Sequence, residues 1–171
     1  MGLDQDAVAR RGKVARELKE DDKEICICRE CDEEFSVNER YCPCCGHPPD
    51  YEEQELLVCW RKHSKLHGWM EALWEKRGRP NNRPEMEGFN CTDLPLTLED
   101  IDRLEADVKA RNLTQAKVPE MYSSLGEHLG IENLFADDSS DEDYLETDLE
   151  FCKEARESLK DGYEVFYTAY Y

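Results

Sequence analysis

The chain has 171 residues, enough for one medium domain and a small module. It carries 22 Lys and Arg against 41 Asp and Glu, a formal charge of −19 that argues against direct nucleic-acid binding. No apolar run reaches the length of a membrane span. Nine cysteines with no secretory leader ahead of them point to a reducing cytoplasm, with some of the thiols held by metal.

Residues 1–24 are rich in charge and helix formers, with a thin apolar stripe at Leu3, Ala7, Val14 and Leu18. The spacing predicts a marginal N-terminal helix or a charged tail. Residues 25–50 hold the strongest chemical signal, Cys28-x-x-Cys31 and Cys42-x-x-Cys45. The two pairs supply four thiolates, the donor set of a tetrahedral zinc site. A two-residue gap lets both sulfurs of one loop reach one metal. Pro43 stiffens the second loop, and Gly46 suits the positive φ that its exit needs. Cys26, Cys44 and His47 crowd the quartet, so spacing alone does not force the ligand set. Adjacent cysteines rarely both ligate one ion, which favours Cys28, Cys31, Cys42 and Cys45. A disulfide cluster is the alternative in an oxidising compartment, and four thiolates also suit an iron–sulfur centre, although the spacing favours zinc. The segment, with its C-P-C-C-G second pair, resembles a zinc ribbon. That resemblance implies short strands held by Zn2+ in a segment too small to bury a core alone.

Residues 51–171 read as a mainly helical domain with an acidic segment and a terminal strand. The longest helix is predicted from about Glu52 to Arg77, because Leu56, Trp60, His63, His67, Met70 and Trp74 recur at three- and four-residue steps. Its inward face takes Leu56, Trp60, His63, Leu66, Met70 and Leu73, and Gly78-Arg79-Pro80 stops it. Thr97, with Asp100 three residues on, is a helix N-cap, and the helix runs to about Asn112 with Leu98, Ile101, Leu104 and Val108 inward. Residues 113–139 look irregular, with a short turn near Met121–Leu129. A last helix from Ser140 to about Lys160 turns Leu145, Leu149, Cys152, Ala155 and Leu159 inward and ends at Gly162. The closing aromatic stretch from Tyr163 is a strand, paired with the 84–95 loop or with the ribbon. The fold class expected is α+β, a small zinc ribbon joined to a mainly helical domain.

Residues 61–83 form a basic island, with seven Lys or Arg and only Glu71 and Glu75. Trp60, Arg61, Lys62, His63, His67 and Trp69 are the candidate ligand residues. The cations hold a phosphate or carboxylate and an indole stacks on a base. The competing reading is that the island pairs with the acidic stretch 137–150 of the same chain. Cys59, His63 and His67 fall four apart, the spacing of a helical metal site that needs a further ligand such as Cys91 or Asp93. The simpler reading packs the histidines in the core. A thiol enzyme using Cys91 with either histidine is a further reading. The acidic run Asp137–Asp143 lacks the calcium-loop pattern.

Trp60-Arg-Lys-His-x-x-Leu-His-Gly-Trp-Met70, Phe89-Asn-Cys-Thr-Asp-Leu-Pro-Leu-Thr97, Ser139-Ser-Asp-Glu-Asp-Tyr-Leu-x-x-Asp-Leu-Glu-Phe151 and the aromatic C-terminus resemble a family of small uncharacterised tailed-bacteriophage proteins, over residues 58–171. The resemblance implies no known activity. The sequence contains no phosphate loop, nucleophile elbow or dinucleotide fingerprint. The expectation is a non-enzymatic, zinc-binding accessory protein of the phage type. It would bind a host or phage protein in the host cytoplasm. The alternatives are a binder of a small anionic ligand such as a nucleotide, an acidic mimic of nucleic acid, and a hydrolase with a second metal at His63 and His67.

Overall fold

The computed structural model describes residues 3–14, 16–18, 23–39, 41–80, 88–113 and 141–170. The chain divides into two compact units, residues 10–55 and residues 1–9 with 56–171. The division falls inside two long strands, β1 (Asp4–Lys13) and β5 (Tyr51–Arg61).

The larger unit is a four-stranded sheet with three helices among the described residues. The strand order is β5-β1-β7-β6, where β6 is Leu94–Leu96 and β7 is Glu164–Tyr170. The helices are α1 (Ser64–Lys76), α2 (Leu98–Ala110) and α3 (Asp141–Lys160). The N-terminal helix expected over residues 1–24 is not there, because β1 occupies Asp4–Lys13. Leu3, Gln5, Ala7 and Ala9 are all fully buried, a period of two that belongs to a strand. Gln5 hid this alternation, since an amide does not read as core. It is buried because its amide donor and acceptor are both satisfied: Nε2 donates to the His63 carbonyl and to Tyr167 Oη, and Oε1 accepts from the His63 N–H.

The predicted helix over 52–77 is likewise corrected. Residues 51–61 are β5 and only Ser64–Lys76 is helical. The four-residue recurrence of Leu56, Trp60 and His63 was shared by two elements. Lys62, at φ +62° in the left-handed region, breaks the strand from the helix. Leu56 is therefore 62 % exposed instead of inward, while Trp60 reaches the core from a strand. α1 buries Leu66, Met70 and Leu73 as expected, and Gly78, at φ +78°, stands just beyond its end.

Thr97 caps α2 with a reciprocal pair of bonds. Its Oγ1 accepts from the Asp100 N–H at 3.2 Å, and Asp100 Oδ2 accepts from the Thr97 N–H at 2.8 Å. Ile101, Leu104 and Val108 face inward, but Leu98 in the first turn is 43 % exposed. α3 buries Phe151, Cys152 and Ala155, and packs Leu145, Leu149 and Leu159 against the same core. Gly162 follows it at φ +85°, which leads the chain into β7. β7 pairs antiparallel with β6, Leu94 opposite Tyr167 and Leu96 opposite Val165, and has β1 on its other side. It buries Val165 to Ala169 without interruption, the pattern of a central strand. Around Phe89 the rings of Trp74, Tyr167 and His67 stack at 5.1, 5.9 and 5.6 Å between centroids. The turn expected near Met121–Leu129 lies outside the described residues. The architecture is mixed α and β rather than mainly helical.

The smaller unit holds the remainder of β1 and β5 and a three-stranded sheet of β2 (Arg16–Leu18), β3 (Lys23–Ile27) and β4 (Glu34–Ser36). β3 and β4 pair antiparallel, Cys26 opposite Phe35, and the chain between them forms the first cysteine loop. The core of this unit is Cys26, Cys28, Phe35 and Cys42, with Val37 and Cys45 against it. Four buried residues bring at most about 6–12 kcal/mol of burial at roughly 1.5–3 kcal/mol each, below the entropy of ordering such a segment at roughly 1–2 kcal/mol per residue.

Candidate metal centre

The sulfurs of Cys28, Cys31, Cys42 and Cys45 lie within 4.8 Å of one another. Cys28 to Cys45 is 3.3 Å, Cys31 to Cys42 is 3.5 Å and Cys31 to Cys45 is 3.5 Å. A tetrahedral ion with Zn–S bonds of about 2.3 Å needs S···S edges of about 3.8 Å. A disulfide needs about 2.05 Å, and none joins the nine cysteines. The four thiols thus already sit close to the edges of a zinc tetrahedron. Donor number, donor type and spacing all fit a zinc ion.

The two loops are built alike, fourteen residues apart. The Cys28 carbonyl accepts from the Asp32 N–H and the Cys42 carbonyl from the Gly46 N–H, each at 2.9 Å. The Cys28 N–H donates to the Glu33 carbonyl, and the Cys42 N–H to that of His47. Asp32 and Gly46, each directly after the second cysteine, take φ of +57° and +73°. The positive φ expected at Gly46 is present, and Asp32 adopts the same turn without glycine's freedom. This backbone path turns the Glu33 N–H onto the Cys31 sulfur and the His47 N–H onto the Cys45 sulfur.

These bonds bias the thiols unequally. Burial pushes Cys28 up, but N–H groups of Glu30 and Cys31 and the adjoining thiols outweigh it and bring it down to about 7. Cys31 and Cys45 are raised. At Cys31 the Glu33 N–H and burial oppose each other, and the hydrogen bonds of the protonated thiol with Cys45, Cys42 and Cys28, donated to Cys45, decide the direction. At Cys45 burial is the largest cause. One thiolate therefore forms readily and resists a second beside it. A dication held by the four sulfurs would relieve that repulsion, and its binding would expel the remaining protons. Cys26 packs in the small core and Cys44 is exposed, so neither joins the four.

The candidate ligand residues from Trp60 to Trp69 are divided between β5 and α1. Trp60, 2 % exposed, donates from Nε1 to Asp148 Oδ1 at 2.9 Å. His63, also 2 % exposed, places Nε2 at 2.9 Å from Asp148 Oδ2 and stacks on Tyr144 at 4.0 Å. His67 bonds through Nδ1 to Tyr167 Oη at 2.9 Å, and burial pulls it down to about 3, so its ring stays neutral. Trp69 donates to Asp107 Oδ2 at 2.8 Å, with the Arg103 guanidinium over its ring. Arg61 lies out at the surface, 3.7 Å from Asp4, and Lys62 sits at the break before α1. The change from strand to helix at Lys62 puts Trp60 and Arg61 on β5 and His67 and Trp69 on α1, with His63 at the start of that helix. Asp148, from the acidic stretch, meets Trp60 and His63. The acidic run Asp137–Asp143 has no described side chains.

The helical metal site is also corrected. Cys59 is on β5, so it shares no helical face with His63 and His67, and the two imidazoles are engaged by Asp148 and Tyr167. Cys91 directs its thiol to Asn90 Oδ1 at 3.4 Å. Among the described residues, only the four cysteines form a group with metal-ligand geometry. The sequence reading missed Gln5 and Asp148. Asp148 carried a signal, since it falls on the inward stripe of α3 with Leu145, Leu149 and Cys152. No helix among the described residues is long and apolar enough to cross a membrane.

Compared with known proteins, the chain matches no family, no curated protein and no solved structure. The tailed-bacteriophage resemblance thus finds no relative there, and the cysteine cluster stands on its geometry alone.

Proposed function

We propose that the protein is a non-enzymatic binding module in which one zinc ion folds residues 25–50 as a ribbon and the larger unit engages another protein, of a phage or its host. The observation that carries this reading is the closed group of four thiols. Four thiolates fill a tetrahedron and leave no coordination position for water or substrate, the pattern of structural zinc. The alternative metal pair, His63 and His67, is spent on buried hydrogen bonds. The resemblance of residues 58–171 to phage proteins supports a partner in an infected cell, and the charge of −19 favours a basic surface on that partner. The test joins elemental analysis with affinity capture from infected and uninfected host lysates. About one zinc per chain and a stoichiometric partner are expected. A metal-free folded protein, or a preparation that captures nothing, would overturn the proposal. A nucleotide that co-purifies in place of a protein would favour the small-ligand alternative.

A further inference from the structure

The larger unit contains a narrow cleft of about 20 Å3 walled by His63, Val108, Arg111, Leu113, Leu145 and Asp148. A space of that size admits about one water-sized group, so it takes the end of a ligand and not its body. Val108, Leu113 and Leu145 make its aliphatic wall, and Arg111 stands on the exposed side. Arg111 and Asp148 bring one charge of each sign, so the walls together favour neither an anion nor a cation.

His63 is the wall residue that the fold leaves incomplete. Its ring is held from two directions: Nε2 lies 2.9 Å from Asp148 Oδ2, and Tyr144 stacks on one face at 4.0 Å. Asp148 also accepts from Trp60 Nε1 at 2.9 Å, which fixes the carboxylate in turn. A carboxylate accepts, so in the neutral ring the proton sits on Nε2 and Nδ1 keeps a bare lone pair. That Nδ1 is closed off from bulk solvent and has no hydrogen-bond partner among the described residues. A buried acceptor without a donor is costly, and the space beside this ring is where a donor can come from.

We propose that the cleft binds an uncharged hydroxyl group, the end of a small alcohol-like ligand. The hydroxyl donates to His63 Nδ1, and the carbon chain lies on Val108, Leu113 and Leu145. A lone pair accepts and cannot donate, so an ether oxygen or a carboxylate finds no partner on it. A metal ion would find one free nitrogen where it needs three or four donors, because both Asp148 oxygens are taken by Trp60 and His63. The cleft lies wholly within the larger unit, so its occupancy needs neither the zinc ion nor a protein partner.

The experiment uses the full chain with isotope-labelled histidine. The isomers n-butanol and diethyl ether, which differ in having or lacking an O–H, are titrated separately while the His63 Nδ1 resonance is followed by NMR. The alcohol should move that resonance saturably, toward the position of a nitrogen that accepts a hydrogen bond, with a dissociation constant near ~10 mM or tighter. The ether should bind at least about tenfold more weakly. Leu113→Phe narrows the cleft without removing a polar group and should weaken the alcohol about tenfold, with urea unfolding to show that the variant folds. The contrast between alcohol and ether on the wild type stands whether or not that variant folds. Equal affinity for the ether overturns the proposal, as does no saturation by about 100 mM alcohol. A resonance that already reports a hydrogen bond and does not move with the alcohol marks a resident water only, and that result overturns it as well.

Discussion

Asp148→Ala tests the buried polar junction between β5, α1 and α3. The carboxylate is 3 % exposed and accepts on both oxygens, from Trp60 Nε1 and from His63 Nε2, each at 2.9 Å. Removing it strands two donors that are themselves 2 % exposed. A buried donor left without a partner costs about 1–3 kcal/mol, so the pair costs about 2–6 kcal/mol before any cavity term. That is a large share of the 5–15 kcal/mol typical of a domain. Asp148→Asn should recover only part of it. The amide oxygen can still serve Trp60, but its NH2 then faces the proton on His63 Nε2. Moving that proton to Nδ1 lets Nε2 accept from the amide but leaves an N–H donor buried at Nδ1 without an acceptor, so the recovery stays partial. The assay is urea unfolding followed by tryptophan fluorescence. All three tryptophans, Trp60, Trp69 and Trp74, belong to the larger unit, so the signal reports that unit alone. The expected order of stability is wild type, Asp148→Asn, Asp148→Ala, with unchanged m. An Asp148→Ala midpoint equivalent to less than about 0.5 kcal/mol of loss would refute the reasoning.

Cys42→Ser should lower zinc content from about one per chain to near none, and chelation should unfold residues 10–55 while the tryptophan transition persists. Zinc retained at full stoichiometry by the variant would contradict the four-thiol site. Because the folded state holds His67 down to about 3 and an unfolded histidine titrates near 6.5, the unfolded chain binds more protons between those values. Stability of the larger unit should therefore fall as pH drops through that window, by about 2 kcal/mol from pH 6.5 to 5. Denaturation at the two pH values checks it, and His67→Gln should flatten the dependence. Thr97→Ala removes an acceptor from the first turn of α2 and should cost about 0.5–2 kcal/mol, read from the same fluorescence transition.

What was legible in the sequence was chemistry with a short reach. The cysteine quartet, the Thr97–Asp100 cap and the glycine after each of two helices depend on spacings of a few residues, and the structure places them accordingly. What misled was periodicity shared between elements. Leu56, Trp60 and His63 matched a helix because a strand and a helix were joined end to end at Lys62, and propensity alone does not mark that left-handed break. The N-terminal strand was hidden for a different reason. Its inward positions include Gln5, whose burial depends on partners at His63 and Tyr167 far along the chain. A polar residue that becomes core through distant bonds cannot be recognised from its neighbours. Asp148 belongs to the same class.

The repeated backbone path of the two cysteine loops has a consequence for how the metal is let go. Glycine occupies the left-handed position in the second loop at no steric cost, whereas aspartate in the first sits there against a penalty of about 1 kcal/mol. An ion shared by the four sulfurs would enforce both turns alike, and on its loss only the first loop would gain by unwinding. Demetallation is therefore expected to be directional: residues 28–33 would relax first, and residues 42–47 would keep their shape as a preformed half-cradle on which a returning ion could begin to rebuild the site.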